Sequence, residues 1–127
     1  MREILFRGKQ TGSGEWVYGS LITETNPFDK DMVMTHIYDD SCNEILVISE
    51  TVGQYTGLYD KNGIKVFEGD IISGKSGRFK VIWCDIICSF IAAEMDEIHG
   101  LPSMNKGTLK YYEIIRNIYD NPELLTR

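Results

Sequence analysis

The chain has 127 residues, of which 43% are hydrophobic and 25% charged, and these are the values of one ordinary folded domain. They exclude a disordered chain and a second, separate enzyme domain. The 13 Lys and Arg residues stand against 19 Asp and Glu residues, which gives a net charge of −6. A field of that sign repels phosphate backbones and anionic lipid heads, so nucleic acid and membrane surfaces are disfavoured partners.

Cysteine usage and hydropathy predict the cellular compartment. The three cysteines, Cys42, Cys84 and Cys88, are an odd and sparse set, which is typical of reduced thiols in a cytoplasm. The first seven residues mix charged and apolar side chains and lack the apolar core of a signal peptide. Residues 81–93 form the most apolar stretch, but polar residues interrupt it well below the length of a membrane helix. We therefore expect a cytoplasmic protein with no membrane segment.

Short apolar runs bounded by Gly, Asn, Asp or Pro dominate the sequence, and their β-branched and aromatic residues predict a mainly β fold. Seven segments are predicted strands: residues 4–6, 16–22, 32–38, 45–48, 64–67, 71–72 and 79–88. In one of them Val33, Thr35 and Ile37 share one face, and in 78–83 apolar residues alternate with basic ones, as half-buried strands require. Residues 44–48 show no alternation and therefore predict a central strand covered on both faces.

The turns and the end of the chain complete this prediction. Asn62-Gly63 tolerates positive φ at both centre positions of a type I′ turn and predicts a hairpin. Residues 111–119 match both a helical stripe and a strand, and their β-branched isoleucines favour the strand. Residues 90–99 stay open between helix and strand. Asp120-Asn121-Pro122 supplies a cap and a proline at a first helical position, which predicts a short C-terminal helical turn.

Charge is distributed unevenly along the chain. Residues 1–57 carry 4 basic and 9 acidic side chains, and residues 58–127 carry 9 and 10, so their formal charges are −5 and −1. The change coincides with a glycine-rich segment at 53–77. We therefore predict one domain, 1–127, with two lobes at 1–57 and 58–127.

A dense motif occupies the centre of the chain. Residues 51–72 read TVGQYTGLYDKNGIKVFEGDII, and this run resembles the signature of the YopX family of phage and prophage proteins. Residues 2–8 resemble the opening of that family and residues 118–124 its ending, so the resemblance spans nearly the whole chain. It implies a small β-rich protein that is encoded by a bacteriophage or prophage and made in the cytoplasm of the bacterial host. The resemblance brings no catalytic residues, so it implies a protein that is not an enzyme.

The glycines and acids of this motif are typical of turns in a scaffold. Gly57, Gly63 and Gly69 supply backbone freedom, and Asp60 and Asp70 are candidate turn carboxylates. We expect Asp70 to accept backbone N–H bonds across its turn. The acid-glycine-acid run that precedes two isoleucines here resembles the turn into a strand of SH3-like small barrels. The predicted fold is therefore mainly β, with an SH3-like small barrel in the C-terminal part, from residue 64 onward, packed with an N-terminal β lobe.

Residues 69–76, GDIISGKS, match the phosphate-binding pattern G-x-x-x-x-G-K-S letter for letter. Residues 81–85 also resemble the apolar run ending in Asp that holds magnesium in nucleotide-binding enzymes. The pattern needs a helix that begins at its Lys-Ser, because the N–H groups of that helix hold the phosphates. Gly77 and an alternating strand follow instead. We therefore expect no nucleotide binding and no cofactor.

A local basic patch suggests one alternative function. Lys75, Arg78 and Lys80 lie near two aromatic residues, and a basic and aromatic face on a small barrel suits a nucleic-acid-binding regulator. In a molecule of charge −6, three cations are more often a solvated loop and strand face.

Two clusters of acidic residues with a histidine suggest a second alternative function. These clusters are Glu94, Asp96, Glu97 and His99, and His36, Asp39, Asp40 and Cys42. Either would suit a metal-dependent hydrolase, but neither matches a known ligand spacing, so polar loops are the favoured interpretation. Cys84 and Cys88 would lie about 13 Å apart in a strand, too far to share a metal ion, and are interpreted as buried small apolar residues.

The leading hypothesis is a non-enzymatic accessory protein that acts through protein contacts, with a phage protein, a host protein or a second copy of itself. Strand edges and aromatic residues on a small barrel add a partner strand or anchor a loop without any catalytic group. Tyr55, Tyr59 and Trp83 are the candidate anchors for such a partner.

Overall fold

The computed structural model describes residues 1–94 and 104–121. Its described residues form two antiparallel sheets with one short α-helix, so the prediction of a mainly β fold is confirmed. The chain divides into two compact units, Met1–Tyr55 and Thr56–Arg127. The assignment of one domain stays a prediction.

The first unit is built on antiparallel strands that follow one another along the chain. They are β1 (Phe6–Lys9), β2 (Trp16–Asn26), β3 (Asp29–Tyr38) and β4 (Glu44–Leu46), followed by a 3-10 turn (Ser49–Thr51) and the start of β5 (Gly53–Tyr59). Their order in the sheet is β4-β3-β2-β1-β5. Ile37 and Val47 are buried in this unit. The Thr35 hydroxyl lies 2.7 Å from that of Ser49 and pins the 3-10 turn to β3.

The prediction that the run at 44–48 is covered on both faces is wrong. β4 is three residues long and pairs with β3, and Val47 continues that ladder by donating its N–H to Thr35 O at 3.0 Å. On its other side the run bonds to the end of β1, where Ile48 N–H donates to Lys9 O at 2.9 Å. Leu46 and Ile48 are nevertheless each 41% exposed, and only Val47 of this run enters the core.

The second unit holds the rest of β5 and the remaining elements. These are β6 (Lys65–Phe67), β7 (Asp70–Gly74), β8 (Gly77–Cys84), β9 (Ser89–Ala93), α1 (Lys106–Leu109) and β10 (Glu113–Asn117). β6 pairs with β5, and the other four strands form a sheet in the order β10-β7-β8-β9. The hairpin predicted at Asn62-Gly63 is therefore confirmed, and so is the strand predicted within 111–119. The predicted type I′ turn is wrong, because Gly63 has a positive φ and Asn62 does not.

One apolar cluster holds the second unit together. Its buried members are Val66, Ile72, Phe79, Val81, Ala92, Leu109 and Tyr112. Leu109 comes from α1, whose Asn105 side chain accepts the N–H of Thr108 at 3.0 Å and begins the helix. The Tyr112 ring meets Phe79 edge-on with a 6.0 Å centroid separation. This short helix therefore closes one side of the core.

Three other expectations have different outcomes. The strand predicted at 79–88 ends at Cys84, and a turn separates it from β9, so its C-terminal half was predicted wrongly. The C-terminal helical turn predicted from residue 122 lies outside the described residues. The SH3-like character of the C-terminal part stays a prediction. Among the described residues no helix is long and apolar enough to span a membrane.

Candidate protein-binding site

The three predicted anchors lie in different surroundings. Tyr55 is 5% exposed, so its ring has no surface to offer a partner in the folded protein. Tyr59, the last residue of β5, is 49% exposed, and Trp83, near the end of β8, is 44% exposed. Trp83 is the anchor with further exposed apolar residues next to it in the chain, and the candidate site is built around it.

The Trp83 side chain is held in a fixed orientation. Its ring meets Phe90, its cross-strand partner on β9, with a centroid separation of 5.1 Å and an interplanar angle of 74°. This edge-to-face arrangement is favourable for aromatic pairs. The indole Nε1 donates a hydrogen bond to Asp85 Oδ1 at 2.8 Å. Two contacts therefore orient the indole while nearly half of its surface stays open to a partner.

Two isoleucines extend this surface beyond the strands. Residues 85–88 form the turn between β8 and β9, in which Ile86 is 92% exposed and Ile87 is 54% exposed. We call Trp83, Ile86, Ile87 and Phe90 the β8–β9 tip. Contiguous exposed apolar side chains on a folded protein mark interaction sites, because each is costly to leave in water.

The turn itself does not require these isoleucines. Its polar contacts come from Asp85, which accepts from Trp83, and from Cys88, whose Sγ lies 3.5 Å from the Asp85 carbonyl oxygen. Cys88 adopts a φ of 52°, in the left-handed region. β-branched residues have no preference for turns, so the exposure of Ile86 and Ile87 has no local structural reason.

Sequence reasoning missed both isoleucines because the apolar run around them was interpreted as one strand. The signal that was available is Asp85, since aspartate is depleted in strands and favours turns. Chemically, the tip offers apolar and aromatic contact area. The neighbouring Asp85 carboxylate already accepts the indole N–H through one of its oxygens.

The Asp60 carboxylate organises the β5–β6 turn. Its Oδ1 accepts the backbone N–H groups of Asn62 at 2.8 Å and Ile64 at 2.9 Å, and its Oδ2 accepts that of Ile114 at 3.0 Å. Asp60 is 5% exposed, so these three bonds are shielded from water. Gly63, in the same turn, has a φ of +78° that suits glycine. Gly57, within β5, has a φ of +88°.

Gly69 and Asp70 join β6, β7 and the end of β10. Asp70 is 2% exposed, and its Oδ2 accepts the backbone N–H of Phe67 at 2.8 Å across the turn. The backbone of Gly69 donates to Val81 O at 2.8 Å and accepts from Ile118 N at 2.9 Å. These residues of the central motif therefore lie in the scaffold of the second unit.

The phosphate-binding pattern falls on a β-hairpin. Residues 70–74 form β7 and residues 77–84 form β8, so Lys75 and Ser76 lie in the tight turn between two strands. A phosphate loop instead precedes a helix whose N–H groups hold the phosphates. The expectation of no nucleotide binding stays a prediction.

The three predicted cations do not share one solvated face. Lys75 and Arg78 are exposed, whereas Lys80 is 4% exposed and lies in register between Ile71 on β7 and Ala93 on β9. The interpretation of Lys80 as a solvated residue is therefore wrong. β8 is an inner strand with a neighbour on each side, and its residues 79–81 are all buried, so Lys80 sits in a covered layer.

The acidic cluster at 36–42 belongs to a polar turn. Three hydrogen bonds hold Asp39 Oδ1 and Oδ2, from the Asn43 backbone N–H, the Asn43 side-chain amide and the Ser41 backbone N–H. These bonds lower the pKa of Asp39 below its ordinary value of 3.8, and the bond from the Asn43 backbone N–H has the largest effect. Desolvation raises the pKa, but by less than the Asn43 bond lowers it. His36 Nδ1 lies 3.6 Å from Glu44 Oε1. The carboxylate of Asp39 is thus engaged in shaping the turn.

In the part of the chain that the structure describes, His, Cys, Asp and Glu side chains do not gather in groups of three or more suited to a metal ion. Cys42 and Cys88 are exposed and Cys84 is partly buried, all as free thiols. The interpretation of Cys84 and Cys88 as buried residues is therefore wrong, because the turn at 85–88 carries Cys88 to the surface. The second predicted cluster begins at Glu94, and its other members, Asp96, Glu97 and His99, lie outside the described residues.

An open groove of about 480 Å³ lies beside β10 in the second unit. Its lining residues are Arg78, Glu113, Ile114, Ile115 and Arg116. Arg116 Nη1 donates to the carbonyl oxygen of Ile115 at 2.8 Å, which holds this guanidinium along the strand. Glu113 Oε2 is 3.7 Å from Lys61 Nζ and accepts Asn62 Nδ2 at 3.4 Å. We call this feature the Arg78–Arg116 groove, and its lining combines two isoleucines with two exposed arginines and one glutamate.

Comparison with known proteins identifies the family. The family model described as YopX protein matches residues 5–126, and the chain therefore belongs to the YopX family. The crystal structure of protein EF1440 from Enterococcus faecalis is similar to this chain, with 21% sequence identity and a TM-score of 0.56. The match covers 98% of this chain and 99% of that chain, and at this identity it shows a shared fold alone. No curated protein matches the sequence significantly.

Proposed function

We propose that this protein is a non-enzymatic accessory protein of a phage or prophage, and that it works by binding another protein through the β8–β9 tip. The observation that carries the proposal is the 92% exposure of Ile86 in an ordered turn, beside a Trp83 ring that two contacts hold in place. An exposed apolar side chain that the fold does not need is explained by a partner that covers it.

The shape and chemistry of the tip suggest the kind of partner. A hairpin end that presents one indole and two isoleucines suits an apolar pocket or groove on a protein surface. Aromatic anchors of this kind contribute most of the binding free energy when the partner fully desolvates them. The net charge of −6 makes a nucleic acid the less favourable partner.

The origin and the absence of catalysis rest on separate grounds. The resemblance of the sequence to phage and prophage proteins supports a phage origin and a role in the host cytoplasm. The same resemblance brings no catalytic residues, and the tip offers contact area rather than an acid and a base. A protein that binds without turnover is therefore the function that these observations support best.

The test compares two variants that remove similar exposed apolar surface. Ile86→Ser removes it from the tip, and Tyr111→Ser removes it from elsewhere in the second unit, where Tyr111 is 68% exposed. A photo-reactive group at residue 87 identifies the partner in host lysate, and the purified partner is then titrated against all three proteins. We expect Ile86→Ser to weaken binding by about tenfold or more and Tyr111→Ser to leave it unchanged.

Three results would overturn the proposal. Equal binding by the wild type and by Ile86→Ser would remove the tip from the interface. Metal-dependent turnover that Glu97→Gln abolishes would instead show a hydrolase. A salt-sensitive oligonucleotide complex lost in Lys75→Ala would show a nucleic-acid-binding regulator.

A further inference from the structure

The hairpin of β2 and β3 extends beyond the core of the first unit. Residues 23–33, which we call the arm, are all exposed except for the partly buried Asn26. An antiparallel hairpin normally packs one face on a core, and a hairpin exposed on both faces gains little stability from the rest of the protein. The length of the arm is therefore not explained by the packing of the first unit.

The end of the arm presents an aromatic ring to solvent. Phe28 is 97% exposed, and Met32 and Val33 are about half exposed. The turn is ordered, because Asn26 Oδ1 accepts the backbone N–H of Phe28 at 2.8 Å and Asp29 Oδ1 accepts that of Asp31 at 3.1 Å. Phe28 is thus displayed on a structured turn with nothing from its own hairpin to cover it.

The charge of the arm restricts what covers this ring. The arm carries Glu24, Asp29 and Asp31 against the single cation Lys30, so its formal charge is −2. A complementary surface combines an apolar pocket with cations at its border. The rest of the chain is also negative overall. A surface that matches the arm must therefore be a local group of cations on the molecule that binds it.

The Arg78–Arg116 groove has both properties. The partly buried Ile114 and Ile115 supply some apolar contact area, and the exposed side chains of Arg78 and Arg116 supply cations. The one acid of the lining, Glu113, is engaged by Lys61 at 3.7 Å, which leaves the groove with a positive excess. A volume of about 480 Å³ is sufficient for a phenyl ring with its neighbouring side chains.

We propose that the arm of one molecule docks in the Arg78–Arg116 groove of a second copy of this chain, with the Phe28 ring on the two isoleucines and the acids of the arm near the two arginines. The contact is heterologous, because two different surfaces meet, so it leaves one arm and one groove free for further copies. It is independent of the β8–β9 tip and of the partner proposed for that tip.

A charge-swap experiment tests the proposal on purified full-length protein. One variant reverses the arm with Glu24→Lys and Asp31→Lys, and the other reverses the groove with Arg78→Glu and Arg116→Glu. All four side chains are exposed, so both variants keep the fold. Light scattering and sedimentation velocity then measure the mean mass against concentration.

We expect the wild type to self-associate and each variant alone to be monomeric. In the arm variant a positive arm meets the positive wild-type groove, and in the groove variant the negative wild-type arm meets a negative groove. An equal mixture of the two variants regains association, because each arm then meets a groove of opposite sign. Phe28→Ser weakens self-association by about tenfold or more. Leu46→Ser, an exposed apolar control outside the arm, and Ile86→Ser, at the β8–β9 tip, leave it unchanged.

A wild type that is monomeric at every concentration would overturn the inference, and so would variants that associate as the wild type does. The inference would also be overturned by a mixture of the two folded variants that stays monomeric. Loss of association in Ile86→Ser would assign self-association to the β8–β9 tip instead. Failure of the partner search at that tip leaves the mass measurements unaffected, so the two proposals fail separately.

Discussion

Asp60 and Ile114 are 54 residues apart in the chain, and Asp60 Oδ2 accepts the backbone N–H of Ile114 at 3.0 Å. The same carboxylate accepts two further N–H groups within its own turn, and the neighbouring Lys61 N–H donates to the carbonyl oxygen of Tyr112 at 2.9 Å. One buried acid therefore ties the central motif to the last described strand. This link adds to the ladder between β10 and β7 in holding the start of β10 next to the β5–β6 turn.

We predict that Asp60→Ala lowers the free energy of unfolding by about 3 kcal/mol, because three shielded N–H groups lose a charged acceptor. Urea denaturation followed by circular dichroism measures this loss. Asp40→Ala, which changes an exposed acid, is the control and shifts the value by less than about 0.5 kcal/mol. Equal stability of the two variants would contradict the role of Asp60.

Gly69→Ala is expected to cost more than a substitution at a glycine in open space. Gly69 has a φ of +96°, and a Cβ there would lie 2.8 Å from Cε2 of Tyr119. Gly14 has a φ of +72° with nothing within 4 Å of the added atom. We expect a loss of about 1 kcal/mol for Gly14→Ala from backbone strain and about 2 to 3 kcal/mol for Gly69→Ala, where overlap adds to it. Thermal unfolding of the two variants separates strain from overlap, and identical melting temperatures would refute the difference.

Two isoleucines of the second unit should respond in opposite ways to truncation. Ile72 is fully buried in the apolar cluster, and Ile72→Ala should cost about 2 to 5 kcal/mol in unfolding free energy. Ile86 is 92% exposed, and Ile86→Ala should change stability by less than about 0.5 kcal/mol. Chemical denaturation measures both. A large loss for Ile86→Ala would mean that this side chain packs on the fold and is no free surface.

Asp39 should titrate below its ordinary value of 3.8. Hydrogen bonds, above all from the Asn43 N–H, lower its pKa in the folded protein, so the ionised turn is favoured above the pKa of the unfolded chain. This contribution is lost as the pH falls through the lower, folded pKa, in the acid range below about pH 4. NMR titration of the carboxyl carbons, with Asp40 as the neighbouring reference, measures the shift. A pKa for Asp39 above 3.8 would contradict the geometry of the turn.

We expect no magnesium-dependent binding of ATP or GTP by the GDIISGKS run. Its lysine and serine lie between two strands, where no helix N-terminus is available to the phosphates. Equilibrium dialysis with labelled nucleotide measures binding, with Lys75→Ala as the control. Binding by the wild type that this variant loses would show that a hairpin turn holds the phosphates after all.

Most of the strands, and the turn at Asn62-Gly63, could be predicted from the sequence. Both depend on local chemistry: β-branched and aromatic runs favour the extended backbone, and glycine accepts positive φ. The family could be predicted as well, since its motif is contiguous in residues 51–72. These features need no knowledge of which segments meet in space.

Burial could not be predicted in the same way. The residues at 44–48 and at 85–88 are similarly apolar as sequence, yet the first run contains a short strand with one core residue and the second is an exposed turn. Lys80 has the residue type of the surface and is buried, because both faces of β8 are covered at residues 79–81. The faces that other elements cover decide these cases, and that covering arises from contacts between residues far apart in the chain.

The residues of the candidate sites also divide into those that the sequence predicted and those that only the tertiary structure showed. Trp83 and Arg78 were candidates from their residue types, whereas Ile86, Phe28 and Arg116 became candidates only through their exposure and position in the tertiary structure. Hydrophobic residues give the same signal in a sequence whether they form a core or an interface. Only the packed fold shows which apolar side chains the protein covers by itself and which it leaves for another molecule.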